Sequence, residues 1–134
     1  MSWLSHFAER AKRETIGHPI HLPPTLVHQH PCLNEAHWRV GGLPLRIGGW
    51  CLGQRSVAGI TLGDTVFLAE NATLDPRLLV HEVAHVRQFG QDKSFPIRYL
   101  WESLTKGYRN NRYELEADAF VQEVVWSKTP PRQS

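Results

Sequence analysis

The chain has 134 residues, 41% of them hydrophobic and 21% charged, which is enough for one ordinary core and is neither a disordered nor a fibrous composition. Fifteen Lys and Arg against 13 Asp and Glu leave a net charge of +2, and no basic run is dense enough to track a phosphate backbone, so nucleic acid is not an expected partner. The longest uninterrupted apolar stretch is four residues, Val66 to Ala69, far short of a bilayer span. The N-terminus lacks the apolar run of a secretory signal, and Cys32 and Cys51 do not make a disulfide framework, although the two could pair. A cytoplasmic protein is expected. Of eight histidines, five lie between His18 and His37.

Residues 1–37 read as an N-terminal zone. Trp3, Leu4, Phe7, Ala8 and Ala11 recur at helical spacing, which predicts a short amphipathic helix ending before Gly17 and docked on the body of the protein. A membrane surface or a partner are the other uses of such a stripe, given Arg10, Lys12 and Arg13 beside it. Pro19, Pro23, Pro24 and Pro31 follow, predicting an extended segment.

Residues 38–128 read as the main domain, with 129–134 as a tail. Trp38, Val40, Leu43, Leu45 and Ile47 sit among glycines as β-structure, with Pro44 confining its strand to an edge or a bulge. Val57–Leu62 and Thr65–Leu68 flank Gly63-Asp64, a two-residue hairpin signal because Gly supplies the positive φ of the turn. Asp75-Pro76 then opens a helix: Asp caps the orphan N–H groups and Pro at N1 loses no hydrogen bond. Its apolar run continues through Leu78, Leu79, Val83, Val86 and Phe89 to Gly90, a natural stop. A second helix, about Ile97 to Lys106, carries Tyr99, Leu100, Trp101 and Leu104 and stops at Gly107. A third begins near Asn111 with Glu114 at capping-box spacing and runs to about Lys128, before Pro130-Pro131. Trp101, Trp126, Phe89 and Phe120 are expected in the core.

The segment that carries chemistry is His81-Glu82-Val83-Ala84-His85. Histidines four apart on a helix leave the same face one turn apart, so both imidazoles can reach one metal ion. Glu82, adjacent to the first, can contact a metal-bound water instead of the metal. With this composition the motif arises by chance in roughly 3% of shuffled sequences, so its placement inside a well-capped amphipathic helix carries much of the weight. Catalytic zinc needs a third protein ligand and an open fourth position. The candidate ligands lie on the third helix, where Glu114 and Asp118 are spaced to face one way and Glu116 points toward solvent.

The pairing of this motif with Glu114-Leu115-Glu116-Ala117-Asp118, an E-x-x-A-D helix, resembles the gluzincin metallopeptidases, including the CaaX-processing membrane proteases. The stretch from Leu78 through Gln88, then Tyr108 to Asn111 and on to Asp118, is closer still to small soluble bacterial zincin-like domains. The likeness spans about residues 57–122 and excludes the Pro/His-rich N-terminal third; the membrane spans of the CaaX-type enzymes are not found here. The resemblance implies that Glu114 is the third zinc ligand and that Asp118 steadies a zinc-binding histidine. The 28 residues between His85 and Glu114 allow a helix–turn–helix return to one site.

The ligand set His81, His85 and Glu114 then predicts a zinc-dependent endopeptidase. Zn²⁺ lowers the pKa of its water, Glu82 takes the proton and later delivers it to the departing amine. A donor for the oxyanion is required as well. Tyr108, just after Gly107, is favoured as catalytic, with Arg109, Arg112, Tyr113 and the N-terminal histidines as alternatives. Thr65 to Ala69 is the expected strand edge for an extended peptide or protein substrate. Gln88 is expected to bond the backbone or a neighbouring helix. His28 and His30 with His18, His21 and His37 could form a second metal site, or one of them, or Cys32, could reach the zinc and hold the enzyme latent. The alternative function is a zinc-binding domain of the same fold that does not turn over peptides and acts as a partner-binding or regulatory module. The predicted fold is α+β, a minimal zincin-like domain: a small twisted sheet packed on the metal-motif helix with two further helices.

Overall fold

The computed structural model describes residues 3–42 and 58–126, apart from the side chains of residues 11–15. Leu43, Pro44, Leu45, Ile47, Cys51 and the tail from residue 127 lie outside the described residues, and so do the readings made for them. The chain is a mixed α+β fold. The described residues form five α-helices, two short 3₁₀ turns and a four-stranded open sheet.

The hairpin organises the sheet. Strands β3 (Gly59–Leu62) and β4 (Thr65–Leu68) pair antiparallel with Leu62 opposite Thr65. Gly63 turns the corner at φ +63°, a value that costs a residue without Cβ nothing. β2 (His37–Val40) lies parallel against the other side of β4, with Trp38 opposite Val66, and β1 (His18–Pro19) pairs antiparallel with β2. The order is therefore β1-β2-β4-β3, which corrects one expectation: Thr65 to Leu68 is an inner strand. Among the described residues the free edge on this side belongs to β3. A parallel neighbour whose residues pair with positions 28 further along the chain is a long-range pairing that local pattern does not reveal.

The N-terminal zone departs from expectation in two ways. Helix α1 (Trp3–Ile16) forms, but Trp3, Leu4 and Phe7 are exposed, Trp3 by 74%, so this stripe does not dock on the body. The helix is held at its other end, where Arg39 donates to the Ile16 and Gly17 carbonyls at 2.6 and 3.1 Å, a cation placed at a helix C-terminus. Gly17 is required there, because at φ +65° a Cβ would collide with the Val40 and Gly41 carbonyl oxygens. The Pro-rich segment is extended only in part. Pro24 opens helix α2 (Pro24–Gln29) and Pro31 opens a 3₁₀ turn (Pro31–Glu35), since Pro at the first helical position gives up an N–H that has no partner anyway. Leu22, Leu33 and Ala36 of this zone join Trp38, Val66, Leu68, Leu79, Val80, Val83 and Val121 in one buried cluster. The Trp38 indole N–H donates to the Leu33 carbonyl at 3.0 Å.

Three helices complete the domain. In α3 (Pro76–Gln91), Asp75 accepts from the Arg77 N–H at 2.9 Å, with Pro76 at N1 as predicted. The helix runs through Gly90 and ends at Gln91, because the Asp92 N–H bonds back to the Gln88 carbonyl and closes the last turn. Helix α4 (Phe95–Lys106) stops at Gly107, φ +79°. Helix α5 (Arg112–Val124) is capped by Asn111, whose Oδ1 accepts from the Tyr113 N–H at 2.9 Å, and it ends four residues before the predicted Lys128. Ala117, fully buried, is the small residue in the inward stripe Glu114, Ala117, Val121 with which α5 lies along α3.

Not every expected core aromatic is inside. Phe120 packs partly buried against the core, but Trp101 is 67% exposed and Trp126 nearly half exposed. Helix α4 touches the rest of the protein through Phe95 and Tyr99, while Ile97, Leu100, Trp101 and Leu104 line the opposite face in solvent. Among the described residues no helix is long and apolar enough to cross a membrane.

Candidate metal centre

Three helices and one strand converge on a buried cluster. His81 and His85 stand one turn apart on α3, with ring centroids 4.9 Å apart, and both face Glu114 of α5. His81 Nε2 lies 2.8 Å from Glu114 Oε2 and His85 Nε2 lies 3.1 Å from Glu114 Oε1. The three groups can offer ligand atoms that all lie within 4.8 Å of one another. No other group of three or more His, Cys, Asp or Glu converges in this way among the described residues.

The far side of each imidazole is occupied too. His85 Nδ1 is 2.7 Å from Gln88 Oε1, and Gln88 is itself fixed by donating to the Tyr113 carbonyl at 2.9 Å and to Glu116 at 3.2 Å. His81 Nδ1 is 3.1 Å from Asp118 Oδ1. Both imidazoles thus meet an acceptor at each nitrogen. Burial alone would drive protons off them. The Glu114 hydrogen bonds and charge outweigh it, raising His81 above its ordinary value and His85 to about 8. Burial likewise pushes the Glu114 carboxyl up, but hydrogen bonds from His81 and His85 prevail and hold it well below the usual carboxylate range. Glu114 does not close a capping box, since the Asn111 N–H is already bonded to the Tyr108 carbonyl.

These residues fit a divalent cation. Ligand atoms on tetrahedral zinc lie roughly 3.3 Å apart, given bond lengths of about 2.0–2.1 Å, close to the separations of the two Nε2 atoms from Glu114. A site that stabilises protons on two imidazoles is one that a cation can enter by displacing them. The acceptors at the Nδ1 atoms are the partners that hold metal-binding histidines in the correct tautomer. The donor set of two imidazoles and one carboxylate suits a divalent transition metal such as zinc or iron(II).

Glu82 leaves α3 in a different direction. It is only 5% exposed, and its Oε2 accepts from the Thr61 hydroxyl of β3 at 2.8 Å. A Cβ on Gly59, also of β3, would lie 3.4 Å from Glu82 Oε1, so the bare backbone there leaves that oxygen uncrowded. His81 and Glu82 line an open cleft of about 430 Å³ with Ala58, Gly59, Arg77, Leu78 and Tyr108. Tyr108 is therefore beside His81 and Glu82. Burial, with the Glu114 and Glu82 carboxylates, pushes its phenol well above the ordinary range and keeps it a proton donor. The alternative donors stand elsewhere: Arg112 is bonded to the Tyr113 hydroxyl at 2.6 Å, and neither they nor Arg109 line the cleft.

The N-terminal candidates are not brought to this site. His21, His28 and His37 line a separate groove between β1, β2, α2 and the first 3₁₀ turn. Cys32 packs against the hydrophobic cluster. Neither the second histidine metal site nor a thiol or imidazole latch over His81 and His85 is formed among the described residues.

One contributor was not singled out from the sequence. Tyr99 of α4 donates its hydroxyl to Glu114 Oε1 at 2.6 Å, and burial with the Glu114 charge raises its phenol far above the ordinary range. Tyr99 and Phe95 share the helix face opposite Ile97, Leu100, Trp101 and Leu104, about half a turn away. That second face was the available signal.

No protein-family model matches the chain, and no curated protein or solved structure does so either.

Proposed function

We propose that the protein is a small zinc-dependent endopeptidase of gluzincin type and zincin-like fold, with His81, His85 and Glu114 as the metal ligands. The observation that carries this reading is the convergence of the two Nε2 atoms on one buried carboxylate, with Glu82 beside them in an open cleft. Bound zinc would polarise a scissile carbonyl and make water a stronger acid. Glu82 accepts the proton that water gives up as its oxygen adds to the carbonyl carbon, and returns it to the amine nitrogen as the C–N bond breaks. Thr61 holds Glu82 by Oε2, which leaves Oε1 to handle the proton. Tyr108 donates toward the carbonyl oxygen as it gains charge. The edge of β3, whose Gly59 lines the cleft, offers backbone groups to an extended peptide, the role the sequence suggested for Thr65 to Ala69.

Cleavage of a diverse peptide library by the zinc-loaded protein, with Glu82→Gln alongside, tests the reading. Metal binding in both with cleavage by the parent alone is expected, the variant losing at least a hundredfold, on the order of what a positioned base contributes. A second reading, a metal-binding module that docks partners without turnover, draws on the exposed apolar faces of α1 and α4. Zinc in both proteins and cleavage by neither would favour it.

A further inference from the structure

We propose that Tyr99 is a positioning residue that makes Glu114 a one-oxygen ligand: by holding Oε1, it leaves Oε2 alone to meet the cation. The proposal deepens the metal-site reading above and rests on it.

The two oxygens of Glu114 are in different situations. Oε2 faces His81 Nε2 at 2.8 Å, a contact that a cation would replace when it displaces the imidazole proton. Oε1 lies 3.1 Å from His85 Nε2, a contact that a cation would also replace, but it accepts the Tyr99 hydroxyl at 2.6 Å as well, a short bond to a charged acceptor that no cation replaces. For Oε1 to join the metal as well, the charge that strengthens this bond must be shared with the cation, which weakens the bond. Binding through Oε2 alone costs nothing of the kind. It also leaves a coordination position open, as a hydrolytic site requires.

Tyr99 is built in so that it cannot drift. Its ring packs against His85, Phe95 and Tyr113, with centroids 5.9, 5.7 and 6.5 Å away. Its main-chain carbonyl accepts from Asn111 Nδ2 at 3.0 Å, and the same amide donates to Ser103 Oγ at 2.8 Å. Asn111 is fully buried and is also the N-cap of α5, three residues before Glu114. One buried amide therefore sets both the helix that carries the hydroxyl and the helix that carries the carboxylate. Such a two-sided constraint is what a metal ligand needs if it is to be held in a single orientation.

The test uses the full-length protein loaded with cobalt(II), whose visible absorption is intense when four-coordinate and weak at higher coordination, and Tyr99→Phe, which keeps the ring and removes only the hydroxyl. The parent is expected to show the four-coordinate spectrum. Tyr99→Phe should show a weaker one, as Oε1 turns to the metal, together with a roughly tenfold to hundredfold change in zinc affinity. Identical spectra and affinities would overturn the role of Tyr99 while leaving the metal site standing. A parent that binds no cobalt would overturn the metal-site reading and this proposal with it. Because a variant can fail to fold, the parent alone supplies a second readout. The Tyr99 hydroxyl proton should give a downfield, slowly exchanging NMR signal that persists when zinc is added, and its disappearance on zinc binding would overturn the proposal.

Discussion

Two parts of this chain are rich in histidine, and among the described residues only one of them gathers its imidazoles into a cluster. Between His18 and His37 there are five in twenty residues, yet His21, His28 and His37 stand around an open groove without converging on a common point. On α3 there are just two, and both aim Nε2 at one carboxylate while an acceptor stands at each Nδ1. Number of donors is not what differs in favour of the second region. It has a rigid spacing of four residues on one helix, a carboxylate delivered by a neighbouring helix, and burial that makes each unmet nitrogen costly.

The comparison can be broken first at the ligands. His81→Ala, His85→Ala or Glu114→Gln should each abolish stoichiometric zinc binding in calorimetry at micromolar protein. The triple replacement of His21, His28 and His37 by Ala should leave the stoichiometry untouched. Zinc lost from the triple variant would show that the N-terminal histidines form the site after all. The next effect is in the partners of the imidazoles. Gln88→Ala should lower zinc affinity about tenfold to a hundredfold. Asp118→Ala should act in the same direction but at the low end, because the Asp118 side chain is 69% exposed and water can take its place. Equal affinities for all three proteins would mean that His81 and His85 need no outer support.

The smallest effect concerns the joint between the two regions. Arg87 of α3 bonds Glu35 of the N-terminal zone through two nitrogens at 2.9 and 2.7 Å and lies 4.5 Å over the Phe120 ring. Both partners of the ion pair are more than a third exposed, so Arg87→Ala should cost only about 0.5–1 kcal/mol in denaturant unfolding. The hydrogen bond from Arg87 holds the Glu35 carboxyl below its ordinary value of 4.5. A carboxyl lowered on folding contributes stability above the unfolded value and loses it as pH falls through the lowered one. The gap between parent and variant should therefore be full at neutral pH and shrink in strong acid. A gap that grows in acid would remove Glu35 as the relevant partner.

What could be read beforehand follows from how far each contact reaches. The cap Asp75-Pro76, the i,i+4 histidines and the Gly63 turn are all local, and each stands where the spacing put it. Glu114 and Asp118 were approachable because they share a helix face and because the resemblance named them. The position of β2 beside β4 was not legible, since parallel pairing is set by contacts distant in sequence, and so the free edge was assigned to the wrong strand of the hairpin. Helix α4 hid its role for another reason. It has two apolar faces, and periodicity cannot say which one is covered; the larger face, with Trp101, stays in solvent while Tyr99 turns inward.

The hairpin has a consequence in time. Its two strands are joined by a two-residue turn, whereas the metal cluster gathers residues 81, 85 and 114 across the packing of α3 on α5. Contacts close in sequence form at little cost in loop entropy, so β3 and β4 should meet early and the α3–α5 contact late. If the α3–α5 contact forms after the rate-limiting step, a cation would find its complete ligand set only then. Interactions absent from the transition state slow unfolding and leave the folding rate alone. In stopped-flow experiments zinc should accordingly lower the unfolding rate without changing the refolding rate, and zinc-accelerated refolding would place the cluster in the nucleus instead. On this account a bound metal would act as a latch on a door that the chain has already closed.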